Sequence, residues 1–334
     1  MDKTSTISRE ILEEANRLHE RMRHLDFSLN ECMLFAPTTL KINQLKKEKN
    51  AVILAHNYQR PEILFGVADF VADSFALSVE AKKTNADMIV FCGVQFMAET
   101  AKILNPSKKV LIPSLEAGCS LSESITGADV RMLKAQHPGV PVVCYVNTSA
   151  EVKAECDSCC TSANALKVVE YFPGKEAIFL PDEFMAQNLR ALTKKTIHSW
   201  DGRCVVHETF TAEQILAYKK QFPQAKVLSH LECDPSIIAL SDLAGGTSDM
   251  YNYIKSGDAK QFMLVTECGM SDMLRVRFPE KQFITPCTIC PYMKKINLDN
   301  VLESLEKERF EVQIPENVRV RAHSSLEKML TIGK

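Results

Sequence analysis

The sequence predicts an α/β protein of three similar three-layer αβα domains with parallel sheets, related by pseudo-threefold symmetry, with the active site at the domain junction. The first observation is a long repeat. Cys119, Cys204 and Cys290 recur at steps of 85 residues (119 to 204) and 86 residues (204 to 290). Three further sets of segments recur at similar steps, and a long period with several landmarks indicates copies of one supersecondary unit.

The clearest landmark is a segment that aligns three times without gaps: FCGVQFMAETAK (91–102), FLPDEFMAQNLR (179–190) and LVTECGMSDMLR (264–275). A hydroxyl side chain recurs as well, at Ser74, Ser162 and Thr247. The third set is an apolar run with a polar end, as in AVILAHNY, VVCYVN and KVLSHLE. The unit is therefore expected to repeat through most of the chain.

The second observation is the alternation of strand and helix patterns within each unit, read as strand, helix, strand, helix, strand. Runs such as MIVF and AIFL are apolar throughout, which is typical of parallel strands buried on both faces. Stretches such as SFALSVEAKK and AEQILAYKKQF carry apolar residues three and four apart, as helices do. Binding residues in such domains lie at the carboxyl ends of the strands. Three domains facing one axis would bring the three repeated cysteines to one point.

We predict four segments of the chain from these patterns. They are an N-terminal helical extension (1–35), a first domain (36–118 plus 291–334), a second domain (119–204) and a third domain (205–290). Residues 8–27 form an amphipathic helix, capped by Ser8 or Thr6, that packs outside the first domain or serves as a cover or dimer contact. The tail helix around INLDNVLESLEKERF is expected to complete the first domain.

Composition excludes several classes of protein. The formal net charge is −2, which gives no reason to expect a nucleic-acid partner. No run of 18 apolar residues exists to span a membrane, and the first ten residues lack the apolar region of a secretory signal. We therefore expect a cytoplasmic protein without a membrane partner. Twelve cysteines in a reducing compartment serve metals or catalysis more often than disulfides.

Polar residues at three strand ends are the candidate catalytic and binding groups. His56 and Tyr58 follow the first strand, and Tyr145 and Asn147 follow its counterpart in the second unit. His230 and Glu232 lie two apart, on one face of the third such strand, and form a possible acid/base pair. The alternative is that these are ordinary strand-end side chains.

Ser74, Ser162 and Thr247 occupy equivalent predicted helix starts. A hydroxyl beside free backbone N–H groups can bind a carboxylate or phosphate, or it can serve only as a helix cap. The recurrence in three units favours an anion site.

The repeated cysteines are the candidate metal ligands. Three thiolates from three domains would leave one coordination position open, as catalytic metal sites do. Thiolates favour zinc or iron–sulfur clusters, and the sequence pattern does not choose between them. The local group Cys156, Cys159 and Cys160 lacks the second pair that a structural zinc site requires, so we favour a packing role for it.

Cys287 lies three residues before Cys290 and is a competing ligand. The repeat favours Cys290, because its step from Cys204 is closer to 85 residues than the 83 residues (204 to 287) of Cys287. Cys287 is then a packed small side chain, or it forms a disulfide with Cys290 that would remove a ligand reversibly.

A set of motifs resembles the quinolinate synthases, the A proteins of bacterial NAD synthesis. The motifs are HNYQRPE, ADFVADS, GVQFMAE, AGCSL, YVN, CTSANA, HLEC, GGTS and CTICPYMKK, in family order between about Ile42 and Ile314. The loop EILFGVADF looks one residue longer than in the family, and the first 35 or so residues have no family counterpart. The resemblance implies the three-domain fold predicted above and one oxygen-sensitive 4Fe-4S cluster held by three cysteines, with one open iron.

The implied reaction condenses iminoaspartate with dihydroxyacetone phosphate to quinolinate, phosphate and water, with L-aspartate oxidase as the partner that supplies iminoaspartate. By motif, the cluster ligands are Cys119, Cys204 and Cys290. The implied substrate contacts are His56, Tyr58, Ser74, Tyr145, Asn147, Ser162, His230, Glu232 and Thr247. Of these, His56, Tyr58 and Glu232 are implied to transfer protons. The alternatives are a zinc or iron lyase acting on another small dicarboxylate, and a cysteine-rich redox sensor without a substrate.

Overall fold

The computed structural model describes residues 8–332 and contains three parallel sheets of four strands each. In each sheet the second strand in sequence lies at one edge, followed in space by the first, third and fourth. The first sheet comprises β1 (Ala51–His56), β2 (Phe70–Ala72), β3 (Met88–Cys92) and β4 (Lys109–Leu111). The second comprises β5 (Val142–Tyr145), β6 (Ser158–Cys160), β7 (Glu176–Leu180) and β8 (Thr196–Ser199). The third comprises β9 (Lys226–His230), β10 (Leu243–Gly245), β11 (Gln261–Val265) and β12 (Gln282–Ile284).

Helices flank the three sheets, so the predicted αβα fold class is confirmed. In chain order they are α1 (Arg9–Met22), α2 (Leu29–Glu48), α3 (Pro61–Leu64), α4 (Ser74–Lys83), α5 (Gln95–Leu104), α6 (Ser120–Glu123), α7 (Gly127–Gln136), α8 (Ala150–Glu155), α9 (Ala165–Tyr171), α10 (Glu183–Arg190), α11 (Ala212–Gln221), α12 (Pro235–Ile238), α13 (Thr247–Ser256), α14 (Gly269–Arg277), α15 (Leu298–Lys307) and α16 (Glu316–Ile332). Short 3₁₀ turns lie at Arg23–Leu25, His207–Thr209 and Met293–Lys295.

The repeat corresponds to this common topology. Each copy of the gapless segment runs from the third strand of its sheet into the following helix, at β3–α5, β7–α10 and β11–α14. The sheets nevertheless have four strands rather than the expected three. The additional strands β2, β6 and β10 span three residues each, too few to show a periodic pattern in sequence.

The N-terminal helices form a hairpin. Ser8 caps α1 by accepting a hydrogen bond from the backbone N–H of Ile11 (3.3 Å), as predicted, whereas Thr6 lies outside the described residues. Leu18 and Met22 pack with Ala36 in a small apolar cluster. Helix α2 runs without interruption through the predicted limit at residue 35 and contacts both β1 and α15. The predicted domain limits themselves remain a prediction.

The C-terminal tail joins two units. Helix α15 packs on α2 and β3 of the first unit, as expected for the tail. Helix α16 instead packs mainly on α8 and β6 of the second unit. There the Oγ of Ser325 donates to the backbone oxygen of Lys153 (2.9 Å), and Arg321 pairs with Glu155 (3.0 Å). The buried face of α16 therefore completes the second unit, where we had expected the first.

Within residues 8–332, the helices are all too short or too polar to cross a membrane.

The packing of α16 yields a stability prediction. Leu326 is fully buried, so we expect Leu326→Ala to lower the free energy of unfolding by about 2–5 kcal/mol through lost burial and a residual cavity. Val320 on the same helix is 53% exposed, and Val320→Ala should change stability by only about 0.5 kcal/mol or less. Denaturant unfolding of both variants checks this. Equal, small effects would contradict the packing of α16 on the second unit.

Candidate active site

One cavity lies where the carboxyl ends of strands from the three sheets meet. The empty space within it, including its open mouth, is about 760 Å³. All twelve residues singled out from the sequence line it: His56, Tyr58, Ser74, Cys119, Tyr145, Asn147, Ser162, Cys204, His230, Glu232, Thr247 and Cys290. Their convergence follows from the repeated topology, because each sheet presents equivalent strand ends.

Two histidines take the same local conformation at the ends of β1 and β9. The Nδ1 of His56 accepts from the backbone N–H of Tyr58 (3.2 Å), and the Nδ1 of His230 accepts from that of Glu232 (3.3 Å). Accepting at Nδ1 places the proton of each neutral ring on Nε2. Burial lowers the pKa of His56 to about 3 and that of His230 to about 4, so both rings are neutral near pH 7. In each ring Nε2 is the nitrogen left for a ligand.

Glu232 is a fully buried carboxylate held by groups from two units. The hydroxyl of Tyr145 donates to its Oε1 (2.6 Å), and the Nδ1 of His207 contacts its Oε2 (2.9 Å). Burial by itself raises the pKa of Glu232, but the fields of His230 and His207 and these hydrogen bonds lower it below its ordinary value. Glu232 is therefore ionised at neutral pH.

His207 was missed by the sequence reasoning, although it lies three residues after Cys204 and lines the cavity. Its Nε2 lies 3.0 Å from the Oγ1 of Thr266, which in turn lies 2.7 Å from the hydroxyl of Tyr58. Burial raises the pKa of Tyr58, which keeps the phenol protonated. A hydrogen-bonded chain therefore runs from Tyr58 through Thr266 and His207 to Glu232.

The three repeated hydroxyls line the cavity but differ in their local structure. Ser74 is the first residue of α4, and Thr247 is the first residue of α13, where the side-chain amide of Asn57 donates to its Oγ1 (3.1 Å). Ser162 was predicted at a helix start, but it precedes Asn164, the N-cap of α9, by two residues. A Cβ added to Gly246 would lie 2.5 Å from the Oγ of Ser162. Glycine at the N-cap of α13 therefore leaves room for a hydroxyl from the second unit.

The three repeated cysteines come from separate loops after β4, β8 and β12. Their sulfur atoms do not all lie within 4.8 Å of one another. In the same cavity, the ligand atoms of Cys204, His207 and Glu232 all lie within 4.8 Å of one another. Burial raises the pKa of Cys119 to about 12 and also raises that of Cys204, so thiolates at this point require a nearby cation. The three thiolate donors fit an iron–sulfur cluster.

Glu267 supports the Cys290 loop. Its carboxylate accepts from the backbone N–H of Cys290 (3.2 Å) and of Gly269 (2.6 Å) and lies 3.3 Å from the Nζ of Lys294. Glu267 therefore ties the backbone of Cys290 to the start of α14 and to the side chain of Lys294. Glu267 also lines the cavity and was not singled out from the sequence.

Cys287 forms a disulfide with Cys268, with a Cα–Cα distance of 5.3 Å, and Cys290 is a free thiol. The alternative of a Cys287–Cys290 disulfide is therefore not the pairing in the structure. Cys268 precedes α14, and the bond ties that helix start to the Cys290 loop. The sequence spacing suggested Cys290 as the disulfide partner of Cys287, because these two residues are close in the chain. The partner in the structure is Cys268, which the pairing of β11 with β12 brings near Cys287.

The local cysteine group packs inside the second unit. Cys144 and Cys159 are paired across β5 and β6, with their sulfur atoms 3.6 Å apart. Burial raises the pKa of Cys160 well above its ordinary value, which keeps it a thiol. Within residues 8–332, the compact sets of possible metal ligands are Cys204, His207 and Glu232 in the cavity and His137, Glu176 and His198 outside it, and neither includes Cys156, Cys159 or Cys160. This geometry agrees with a packing role.

The fold and the cavity define a class: a three-unit α/β protein with a polar, thiol-bearing small-molecule site at the unit junction. Comparison with known proteins identifies the family within this class. Residues 40–331 match the family described as Quinolinate synthetase A protein. The chain is 49% identical over 323 residues to the quinolinate synthase of Sinorhizobium fredii, covering 96% of this chain and 89% of that protein. It is 50% identical over 291 residues to that of Xylella fastidiosa, covering 87% and 86% respectively. The chain belongs to the quinolinate synthetase A family.

The disulfide yields a mapping prediction. After alkylation of free thiols and non-reducing digestion of protein purified without reductant, we expect one cross-linked peptide pair joining Cys268 to Cys287. Cys290 should carry the alkyl group once bound metal is removed, because it has no sulfur partner in the structure. In Cys268→Ser, Cys287 should become alkylated. A Cys287–Cys290 peptide in the wild type would contradict the pairing.

Proposed function

We propose that this protein is a quinolinate synthase that condenses iminoaspartate with dihydroxyacetone phosphate in de novo NAD biosynthesis. The observation that carries the proposal is the single cavity in which all twelve motif residues meet, within a chain of this family. The products are quinolinate, phosphate and water.

Substrate binding is assigned to the hydroxyls and the helix starts. The substrates carry two carboxylates and a phosphate, and Ser74, Ser162 and Thr247 supply hydroxyl donors to the cavity, one from each unit. Helices α4 and α13 begin at Ser74 and Thr247, and their dipoles favour an anion there, although at α4 the Asp73 carboxylate already accepts from the N–H of Ala76. From the second unit, Asn147 supplies a further donor, and Tyr145, whose O–H is donated to Glu232, supplies its hydroxyl oxygen as an acceptor.

Proton transfer and oxyanion stabilisation are assigned to His56, Tyr58 and Glu232. Condensation, isomerisation and dehydration require protons to be removed from carbon and delivered to leaving oxygen. The ionised Glu232 can accept a proton directly or through His207. The phenol of Tyr58, kept protonated by burial, can donate a proton, and the Nε2–H of the neutral His56 ring can donate a hydrogen bond that stabilises a developing oxyanion. The chain through Thr266 would then return protons between Tyr58 and Glu232.

Cys119, Cys204 and Cys290 would hold one 4Fe-4S cluster, leaving one iron without a protein ligand. Such a cluster supplies a Lewis acid for a substrate oxygen. The alternative from the sequence is a mononuclear zinc lyase, for which Cys204, His207 and Glu232 would be the compact ligand set, and iron analysis distinguishes the two. The hydroxyl-lined cavity supports a substrate-binding enzyme over a sensor without a substrate.

We further propose L-aspartate oxidase as the functional partner and the cytoplasm as the location. An imine hydrolyses in water, so the enzyme that generates iminoaspartate has to act shortly before this protein or near it. Ten free cysteines among the described residues suit a reducing compartment. The near-neutral charge supports neither a nucleic-acid nor a membrane partner.

The direct test is product formation without oxygen. Protein purified anaerobically, supplied with L-aspartate oxidase, aspartate and dihydroxyacetone phosphate, should form quinolinate detectable by mass spectrometry. It should contain near four irons and four sulfides per chain, as the proposed cluster requires. Iron-loaded protein that forms no quinolinate, or active protein with stoichiometric zinc and no iron, would overturn the proposal.

Cys290 and Cys287 provide a matched pair of cysteine variants. Cys290→Ser should lose iron and quinolinate synthesis, because it removes one of three thiolates from the cluster. Cys287→Ser should keep its iron, because its sulfur is engaged by Cys268 instead. Iron analysis and the visible spectrum of both anaerobic variants check this. Retention of iron by Cys290→Ser together with its loss from Cys287→Ser would reverse the assignment.

Thr266 is a positioning residue in this scheme, and its hydroxyl can be removed without changing its shape. Thr266→Val should lower kcat/KM for dihydroxyacetone phosphate about tenfold or more, since a lost buried hydrogen-bond partner costs about 1–3 kcal/mol. Thr266→Ser retains the hydroxyl and should recover most of the activity. If serine fails to rescue while both variants melt like the wild type, the relay through the hydroxyl is wrong.

A further inference from the structure

A second cluster of metal-ligating side chains lies outside the cavity, in the second unit. It consists of His137, Glu176 and His198, whose candidate ligand atoms all lie within 4.8 Å of one another. Glu176 begins β7 and thus lies at the amino end of that strand, whereas the cavity lies at the carboxyl ends. We propose that these three residues form a binding site for a divalent transition-metal ion, with zinc as the first candidate.

The backbone fixes all three groups from different elements. In the β7–β8 register Glu176 pairs with Thr196 and Ile178 pairs with His198, so Glu176 and His198 are two residues out of step and share a face. His137 directly follows α7, where its N–H donates to the backbone oxygen of Leu133 (3.0 Å). A bound ion would therefore tie the end of α7 to the edge strand β8.

The side chains already converge without an ion. The Nε2 of His198 lies 2.7 Å from the Oε2 of Glu176. The rings of His137 and His198 lie 3.8 Å apart between centroids and are inclined by 30°. Ligands about 2.0–2.2 Å from a tetrahedral zinc are about 3.4 Å from one another, so on binding the two stacked rings would turn to direct one nitrogen each at the ion.

The donor set determines which ions fit. Two imidazoles and one carboxylate are ligands that zinc accepts in proteins, with one position left for water. This set contains no thiolate. It therefore differs from Cys119, Cys204 and Cys290, whose sulfur ligands favour softer metal centres. The partial exposure of all three residues leaves the site open to ions from solution. The competing interpretation is a simple hydrogen-bonded pair of His198 and Glu176 with His137 stacked beside it.

The test uses cluster-loaded protein, so that zinc does not occupy the active-site thiols. Dialysis against zinc chloride and metal analysis should give one zinc per chain in the wild type and none in the double variant His137→Ala/His198→Ala. Anomalous scattering at the zinc edge should place the ion between the three side chains. Glu176→Gln should bind zinc at least tenfold more weakly while keeping quinolinate synthesis unchanged, which separates this site from the proposed function.

His323 provides the matched control, because it is a partly exposed histidine with a single carboxylate, Glu327, at 3.7 Å. His323→Ala should bind zinc as the wild type does, and zinc should raise the melting temperature of both. In the double variant zinc should give no such rise. Zinc that persists in the double variant, or a wild type that binds none, would overturn the site.

Discussion

The buried charge of Glu232 is the interaction on which the arrangement of the three units depends. Removing a carboxylate from water costs several kcal/mol unless its oxygens are paired and hydrogen-bonded. One oxygen is satisfied by Tyr145 from the second unit and the other by His207 from the third. The first unit joins this network through Tyr58, whose hydroxyl lies 2.7 Å from the Oγ1 of Thr266 in the third unit. None of the three sheets could stabilise this carboxylate alone, so the site and the association of the units require each other.

The position of the Cys290 loop likewise depends on contacts between units. Glu267 accepts hydrogen bonds from this loop and from the start of α14, while Lys294 donates to the backbone oxygen of Tyr58 and lies beside Glu267. Gly269 approaches so closely that a Cβ there would lie 2.8 Å from the Cα of Tyr58. Any larger residue would push the first and third units apart. The thiol at 290 is therefore positioned by contacts that also set the distance between two units.

The sequence predicted the site residues that recur in the repeated units and missed those that do not recur. The polar residues at the ends of β1, β5 and β9 follow from a strand pattern present three times, and their meeting in one cavity follows from the topology. His207 and Thr266 were not singled out, because neither belongs to a repeated polar landmark. Their importance comes from contacts across 59 residues of chain. The Cys268–Cys287 bond was missed for the same reason: its partners are adjacent in space through paired strands, not through a local motif.

The placement of α16 shows how a residue far from the cavity can act on it. Lys153 is fully buried, and its Nζ donates to the backbone oxygens of Val146 (2.9 Å) and Thr148, the two residues that flank Asn147. A buried ammonium persists only where such acceptors surround it. The backbone oxygen of Lys153 in turn accepts from Ser325 on α16. Helix α16 thus packs against the element that carries the lysine, and the lysine fixes the loop that carries Asn147. The C-terminal helix consequently supports the second unit's contribution to the site without lining the cavity, which explains why the tail packs there and not on the first unit alone.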